Sequence, residues 1–273
     1  MDPGPHSADT TSASSARTRA KETRTDPNRT DRARAEQDRT GQDRRAARRE
    51  RLLMTATDLF TTRGYPATSI ERICATAHVS IRAFYEEFEG REALLIALHN
   101  DVARAGMEAA LTVLSDPGME SAGARARISA LTRSYLDAVT TEPAATRIAF
   151  VEVVGAGRAV EEHRLLWRSL WSDFLSGEAE RAVERGEAVP RDYSLAIMAL
   201  IGAINELVAH WARDTTAFPR ELLAEELVHH ALATLGLPTG GLPTGDIPAD
   251  GLPTEGLPTE GFPADGLLTD EGK

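Results

Sequence analysis

One cysteine, Cys74, in 273 residues excludes an internal disulfide and suits a reducing compartment. Aromatic side chains are scarce, seven Phe, four Tyr and three Trp, so the places where they gather carry information. No apolar run reads as long enough to cross a bilayer, and residues 1–30 lack the apolar stretch of a secretory signal. The expectation is a cytoplasmic chain with no membrane partner. Period-two alternation is missing too, so no strand is expected, and no glycine-rich loop offers to cradle a phosphate. What remains is helix, and with it a search for binding surfaces.

Charge is present but unevenly placed. The net charge is −11. Residues 1–91 hold 17 Arg and Lys against 14 Asp and Glu, whereas residues 92–273 hold 14 against 28. A basic end joined to an acidic body fits a nucleic-acid reader with a second domain of opposite sign. Residues 1–43, rich in Ser, Thr, Asp and Arg and nearly devoid of large apolar side chains, are expected to be a disordered arm. At its end stand Arg44, Arg45, Arg48, Arg49 and Arg51 with one Glu among them. They read either as an arm on phosphates or in a minor groove, or as the solvated start of a helix.

From Thr68 to Arg91 the pattern is two short helices joined by a tight turn. Thr68 and Glu71 are spaced as a capping box for the first helix, and Ile70, Ile73 and Ala77 give it one apolar stripe. Ala77-His78-Val79 forms the turn. Ser80 then caps a second helix, whose Phe84 and Phe88 share a buried face. That arrangement leaves Ile81, Arg82, Ala83 and Tyr85 near the exposed N-terminal end, the part a recognition helix offers to base edges. The preceding helix, through Leu52, Ala56, Leu59 and Phe60, packs the pair from behind.

The run T-S-I-E-R-I-C-A-T-A-H-V-S-I-R-A-F-Y-E-E-F-E-G-R-E-A-L, with the helix over 51–63 and Gly64-Tyr65 before it, resembles the DNA-binding signature of TetR-type transcriptional regulators over residues 48–95. It departs from that signature where His78 replaces Gly, Cys74 replaces Ala and Arg91 replaces Lys. His78 matters most, because a turn residue with positive φ is easiest for glycine. The resemblance implies an all-α fold: a three-helix DNA-binding domain over 44–92, then a helical bundle over 93–236 for ligand binding and dimerisation. The partners implied are a palindromic double-stranded operator, a twin chain and an unidentified small-molecule effector, with no cofactor and no metal.

Within this scheme Arg82 reads either as a bidentate base contact or as a phosphate clamp. Tyr85 and Arg91 match positions that touch the DNA backbone in the family, and Thr68 or Ser69 stands at a helix N-terminus, where an anion is favoured. Ser80, Ile81 and Ala83 complete the expected surface, joined by Arg44, Arg45 and Arg48. Glu86, Glu87 and Glu89 run against the scheme and are expected to face away from the groove or to be neutralised by arginine.

Beyond Arg91, helices are expected near 92–115, 120–140, 144–154, 160–185, 193–213 and 219–235, broken at Asp116-Pro117-Gly118, Pro143, Gly155-Ala-Gly157, Pro190 and Pro219. Ile197, Ile201, Ile204, Val208 and Trp211 make a narrow seam, and Leu223 and Leu227 another, which the resemblance assigns to the dimer interface. Tyr135, Phe150, Trp167, Trp171 and Phe174 either line an effector pocket or are ordinary core. Asn205, Glu206, His210 and His163 face either a ligand or water. Residues 237–273, a GLPTG-type pentapeptide repeat, are expected to be an unstructured acidic tail. Glu226-Leu-Val-His229 has the spacing of a di-iron ligand pair but lacks a second pair, so an enzyme is not expected. The reading is a DNA-binding repressor released by a small molecule; the alternative is an architectural DNA-binding protein with a solidly packed middle.

Overall fold

The computed structural model describes residues 27–239. The chain forms two units that divide between Ala47 and Arg48. The first contributes the opening of a long helix, α1 (Pro27–Arg63). The arm expected to be disordered over 1–43 is therefore helical from Pro27; residues 1–26 lie outside the described residues. Lack of apolar surface argues against a packed core, but a lone helix needs only its own backbone hydrogen bonds and good helix formers, and Arg, Ala, Glu and Gln are among the best. Arg44 and Arg45 are exposed on this stretch.

The second unit begins with a head of α2 (Ile70–Ala77), α3 (Ile81–Tyr85) and the remainder of α1. Leu52, Ala56, Phe60, Ile73, Phe84 and Phe88 fill its core, and Leu94, Leu95, Ile148, Val153 and Val160 extend that core toward the rest of the unit. The body follows as α4 (Arg91–Leu114), α5 (Pro117–Ser121), α6 (Ala124–Thr140), α7 (Pro143–Arg147) running into a π-helical turn (Ile148–Glu152), α8 (Arg158–Glu184), α9 (Ser194–Arg213) and α10 (Arg220–Thr234). No strand occurs among the described residues. The boundary expected at 92/93 falls in the first turn of α4, which passes unbroken from the head core at Leu94 to the body core at Ala110.

The punctuation of the sequence sets the helix ends. Asp116 accepts from the Gly118 N–H at 2.7 Å ahead of α5, whose first residue is Pro117. Pro143 opens α7, and Pro219 is the N-cap of α10. At the end of α10, Gly236 has φ 69°, and the N–H of Leu237 reaches back to the Leu232 carbonyl at 3.0 Å. This is a Schellman closure, and its apolar contact is present because Leu232 and Leu237 are both buried in one cluster. Leu237 therefore belongs to the body and not to the tail in which it was expected. Residues 240–273 lie outside the described residues.

Two buried features tie the body together. Arg127, only 3% exposed, donates to both carboxylate oxygens of Glu178 at 2.9 and 2.7 Å and so links α6 to α8. Such a pair fixes register more than it stabilises, since burying both charges costs almost what their attraction returns. The apolar helix α9 packs on α8 and α10. By length and composition it could cross a membrane, contrary to the sequence expectation, yet Ile197, Leu200, Ile201, Val208, Ala209, Trp211 and Ala212 are buried within this chain.

That burial corrects the expected dimer seam. Ile197, Ile201, Val208, Trp211, Leu223 and Leu227 are each at most 7% exposed, and Ile204 is half-buried against the same cores. Periodicity marked a face that must be covered, and the cover is the chain itself. The outer side of α9 instead presents Leu195, 78% exposed, and Met198, 59% exposed, with Ala199 one residue on.

Candidate nucleic-acid interface and ligand cavity

The head is built around two helix caps and one strained turn. Ser69, and not Thr68, caps α2: its hydroxyl accepts from the Arg72 N–H at 3.3 Å. Hydrogen bonds from its own backbone and from Ser69 hold the Glu71 carboxyl below its ordinary pKa. Thr68 is fully buried and donates to the Gly64 carbonyl at 2.9 Å, closing the end of α1. Of two adjacent hydroxyls only one can cap, and the other has turned inward, so the Thr68 side chain is not part of a DNA surface.

His78 ends α2 with φ 53° and ψ 44°, the only positive φ at a non-glycine among the described residues. Its N–H donates to Ala75 and that of Val79 to Cys74. The turn is thus the glycine-type helix closure with histidine in the glycine's place. Val79 and Cys74 meet beneath it in the head core. Burial, with Glu71 nearby, raises the Cys74 thiol pKa, which keeps it protonated and unreactive at neutral pH.

Ser80 caps α3 by accepting from the Ala83 N–H at 3.1 Å. With Phe84 buried beneath, the outward residues of α3 are Ile81, 47% exposed, Tyr85, 55% exposed, and Arg82, whose side chain is 92% exposed. Ala83 is half-buried against the head core and does not share that surface. Ser69 and Ser80 are exposed at the two helix starts.

Two arginines expected on DNA are directed into the protein. Arg91 donates to the carbonyls of Tyr65 at 3.1 Å and Thr68 at 2.6 Å, with its guanidinium 4.2 Å above the Tyr65 ring. Both bonds come from one nitrogen, Nη1, and the planar guanidinium stacks over the ring, a flat contact that the lysine ammonium lacks. Arg48 meets Glu87 at 2.5 Å and Glu86 at 3.2 Å. The Glu87 side chain is 2% exposed, and so deeply buried a carboxylate requires a cation. Arg82 also lies 3.5 Å from Glu86. Glu86 and Glu87, just past α3, are thus paired with arginine, one of the two outcomes expected of them, and Glu89 is exposed.

Below the head, the body holds a cavity open to solvent on one side, of about 90 Å³, or about 1080 Å³ when all the space between its lining atoms and out into solvent is counted. Of the aromatic residues expected there, Tyr135, Phe150, Trp167 and Trp171 line it; Phe174 does not, and packs edge-on against Trp171 at 5.6 Å. Tyr135 stands edge-on to Trp171 at 4.9 Å, and burial raises its hydroxyl pKa so that it remains a neutral donor. Asn205 lines the cavity while donating to the Ile201 carbonyl at 2.7 Å. Sequence reasoning missed His99, Arg164 and Arg168. The two arginines had a signal, since they alternate with Trp167 and Trp171 on one helical stripe; His99 had none.

A helix-turn-helix with an outward Arg82 and Tyr85, set on a helical body with a cavity, is the arrangement of a DNA-reading head on a ligand-sized body. Residues 52–98 match the family model of bacterial regulatory proteins of the tetR family. The fold of the chain is that of solved TetR-family regulators. One from Syntrophomonas wolfei is 20% identical, with a TM-score of 0.60 over 72% of this chain and 99% of that one. FadR from Bacillus subtilis, solved with stearoyl-CoA, is 14% identical, with a TM-score of 0.58 over 68% and 98%. AibR, solved with isovaleryl coenzyme A and operator DNA, is 22% identical, with a TM-score of 0.53 over 66% and 96%. No curated protein sequence matches the chain.

Proposed function

We propose that the chain is a sequence-specific transcriptional repressor, acting as a homodimer in the cytoplasm on a palindromic operator, and released when a small molecule fills the body cavity. Residues 44–92 would hold the DNA and residues 93–236 the effector and the twin. The observation that carries this reading is the pairing, in one chain, of an exposed recognition face with an apolar-lined cavity of about 90 Å³ that opens to solvent. An architectural DNA-binding protein has no use for such a hollow, which forfeits packing that a solid core would gain. The structural relatives crystallised with acyl-CoA thioesters support a small-molecule effector.

Ile81, Arg82 and Tyr85, with Ser69 and Ser80 at the helix starts, would meet the duplex. Arg82 is the candidate base reader, because a guanidinium can bind guanine O6 and N7 together. The twin would seat on the outer face of α9 at Leu195, Met198 and Ala199, since the inner face is already covered. Two recognition helices set about 34 Å apart then address two half-sites one turn apart. The effector can move this equilibrium only by binding the two head spacings with different affinity.

The test is selection of fragments from random DNA by the purified full-length chain, followed by addition of candidate small molecules. Enrichment of a palindrome, lost on adding an effector, is the expected result. If no fragment rises above non-specific binding at moderate salt, the reading fails.

A further inference from the structure

The cavity has a direction. On α8 its lining residues are Arg164, Trp167, Arg168, Trp171 and Leu175, at steps of three, one, three and four, so it follows that helix for about 16 Å at 1.5 Å per residue. On α6 the lining runs from Ile128 to Val139, again about 16 Å. Along α8 the polarity changes from end to end. Arg164 and Arg168 stand at the near end, whereas the far end of the stripe is Leu175.

The near end is also short of hydrogen-bond partners. His99 is 8% exposed and lines the cavity, and its Nδ1 has no partner. His163 lies against it, ring centroids 5.2 Å apart, with its own Nε2 unsatisfied. Arg164 is held by Glu161 at 2.6 Å. Arg168 makes no ion pair or hydrogen bond among the described residues. No Asp or Glu lines the cavity, although the chain as a whole carries a charge of −11. A buried imidazole nitrogen without a partner and a cation without a counter-ion, at one end of an apolar slot, form a site lacking its anion.

We propose that the cavity takes an elongated apolar molecule with an acidic head group, a long acyl chain ending in a carboxylate or carried as an anionic thioester. The chain lies along α8 over Trp167 and Trp171 toward Leu175. The head group meets Arg168 and the His99 ring. This proposal rests on the reading of the cavity as an effector site, and it adds the chemistry of what enters.

The test uses the full-length protein and three probes with the same sixteen-carbon chain: hexadecanoate, hexadecanoyl-CoA and methyl hexadecanoate. Quenching of Trp167 and Trp171 fluorescence reports binding. At least one acidic probe should bind about tenfold more tightly than the uncharged ester, the factor a charge-assisted hydrogen bond supplies. Whichever acidic probe binds more tightly identifies the form of the head group. Arg168→Met keeps the stem and removes the charge, so it should abolish that preference, weakening acid binding by about tenfold and ester binding far less. Circular dichroism confirms that the variant folds; should it not, Arg168→Lys serves, with a reduced preference expected. Equal binding of ester and acids, or no binding of any probe, overturns the proposal. DNA selection in parallel separates the two readings: operator binding without acyl binding sinks only the ligand class. Acyl binding without operator selection sinks only the regulator.

Discussion

The His99 ring makes acid stability measurable at one residue. Burial, with His163 and Arg164 of α8 beside it, lowers its pKa from 6.5 to about 4. The unfolded chain therefore takes up a proton near pH 6.5 that the folded chain refuses until near pH 4. Unfolding gains a proton in that window, so the stability from keeping His99 neutral is complete above pH 6.5 and is lost as pH falls. From pH 7.5 to pH 5 this single group should remove about 2 kcal/mol. His99→Leu has no ring to protonate. It should gain about 1 kcal/mol even at pH 7.5, because it also removes the unpartnered Nδ1. Urea unfolding of the full-length chain and the variant, followed by far-ultraviolet dichroism at half-unit pH steps, measures the difference. The gap between the two proteins should widen by about 2 kcal/mol on acidification. Burial also lowers the His163 pKa, so His163→Leu should widen the gap in the same sense and the double variant should show the flattest profile. Parallel curves for wild type and His99→Leu between pH 7.5 and 5 would refute the reasoning.

Four further outcomes are expected. His78→Gly relieves the φ of 53° and should raise stability by about 0.5–1 kcal/mol after the extra freedom of the unfolded chain is counted, a gain of one to three degrees in melting temperature; a lower melting temperature would mean that the imidazole makes a contact worth more than the strain. Arg82→Ala should cost about 1–3 kcal/mol at particular base pairs of the selected operator, whereas Tyr85→Phe should weaken operator and random DNA alike; a uniform loss for Arg82→Ala across single-base operator variants would make it a phosphate clamp. Leu195→Asp with Met198→Asp should leave helix content intact and yield a monomer by sedimentation, and an unchanged dimer would move the interface elsewhere. A Cβ at Gly106 would stand 2.8 Å from the Tyr135 ring, so Gly106→Ala should push that ring into the cavity, lower stability by about 1–3 kcal/mol and weaken acyl binding.

Sequence and structure agree most closely where the chain carries its own punctuation. Pro117, Pro143 and Pro219 begin or precede helices because proline lacks the N–H that a first turn leaves unused, and that logic is local. The recognition helix was legible for a similar reason: Phe84 and Phe88 fix its buried face, which fixes the face of Ile81, Arg82 and Tyr85. The seam of Ile197, Ile201, Val208 and Trp211 shows where local reading ends. Its spacing announces a face that must be covered, but a twin and the chain's own α8 and α10 satisfy that demand equally. Thr68 and Ser69 pose the same problem in miniature. His99 was beyond reach altogether, since it joins Arg168 only through the packing of α4 against α8, and nothing near residue 99 in the sequence names its partner.

The π-helical turn Ile148–Glu152 ties the cavity wall to the head directly. Ala149 and Phe150 form part of the cavity wall. Two residues further on, Glu152 accepts from the Tyr65 N–H at 2.8 Å and is held by Arg147 at 3.2 Å. Tyr65 is gripped in turn by Arg91, at the start of α4. Wall and head are thus joined through two peptide units. A π turn carries about one residue more than an α turn, so deleting a residue here would restore α-helical pitch and bring Glu152 one residue closer along the chain to the wall residues Ala149 and Phe150. Glu152 would then lose the geometry in which it accepts from the Tyr65 N–H, and the cavity wall would lose its direct tie to the head.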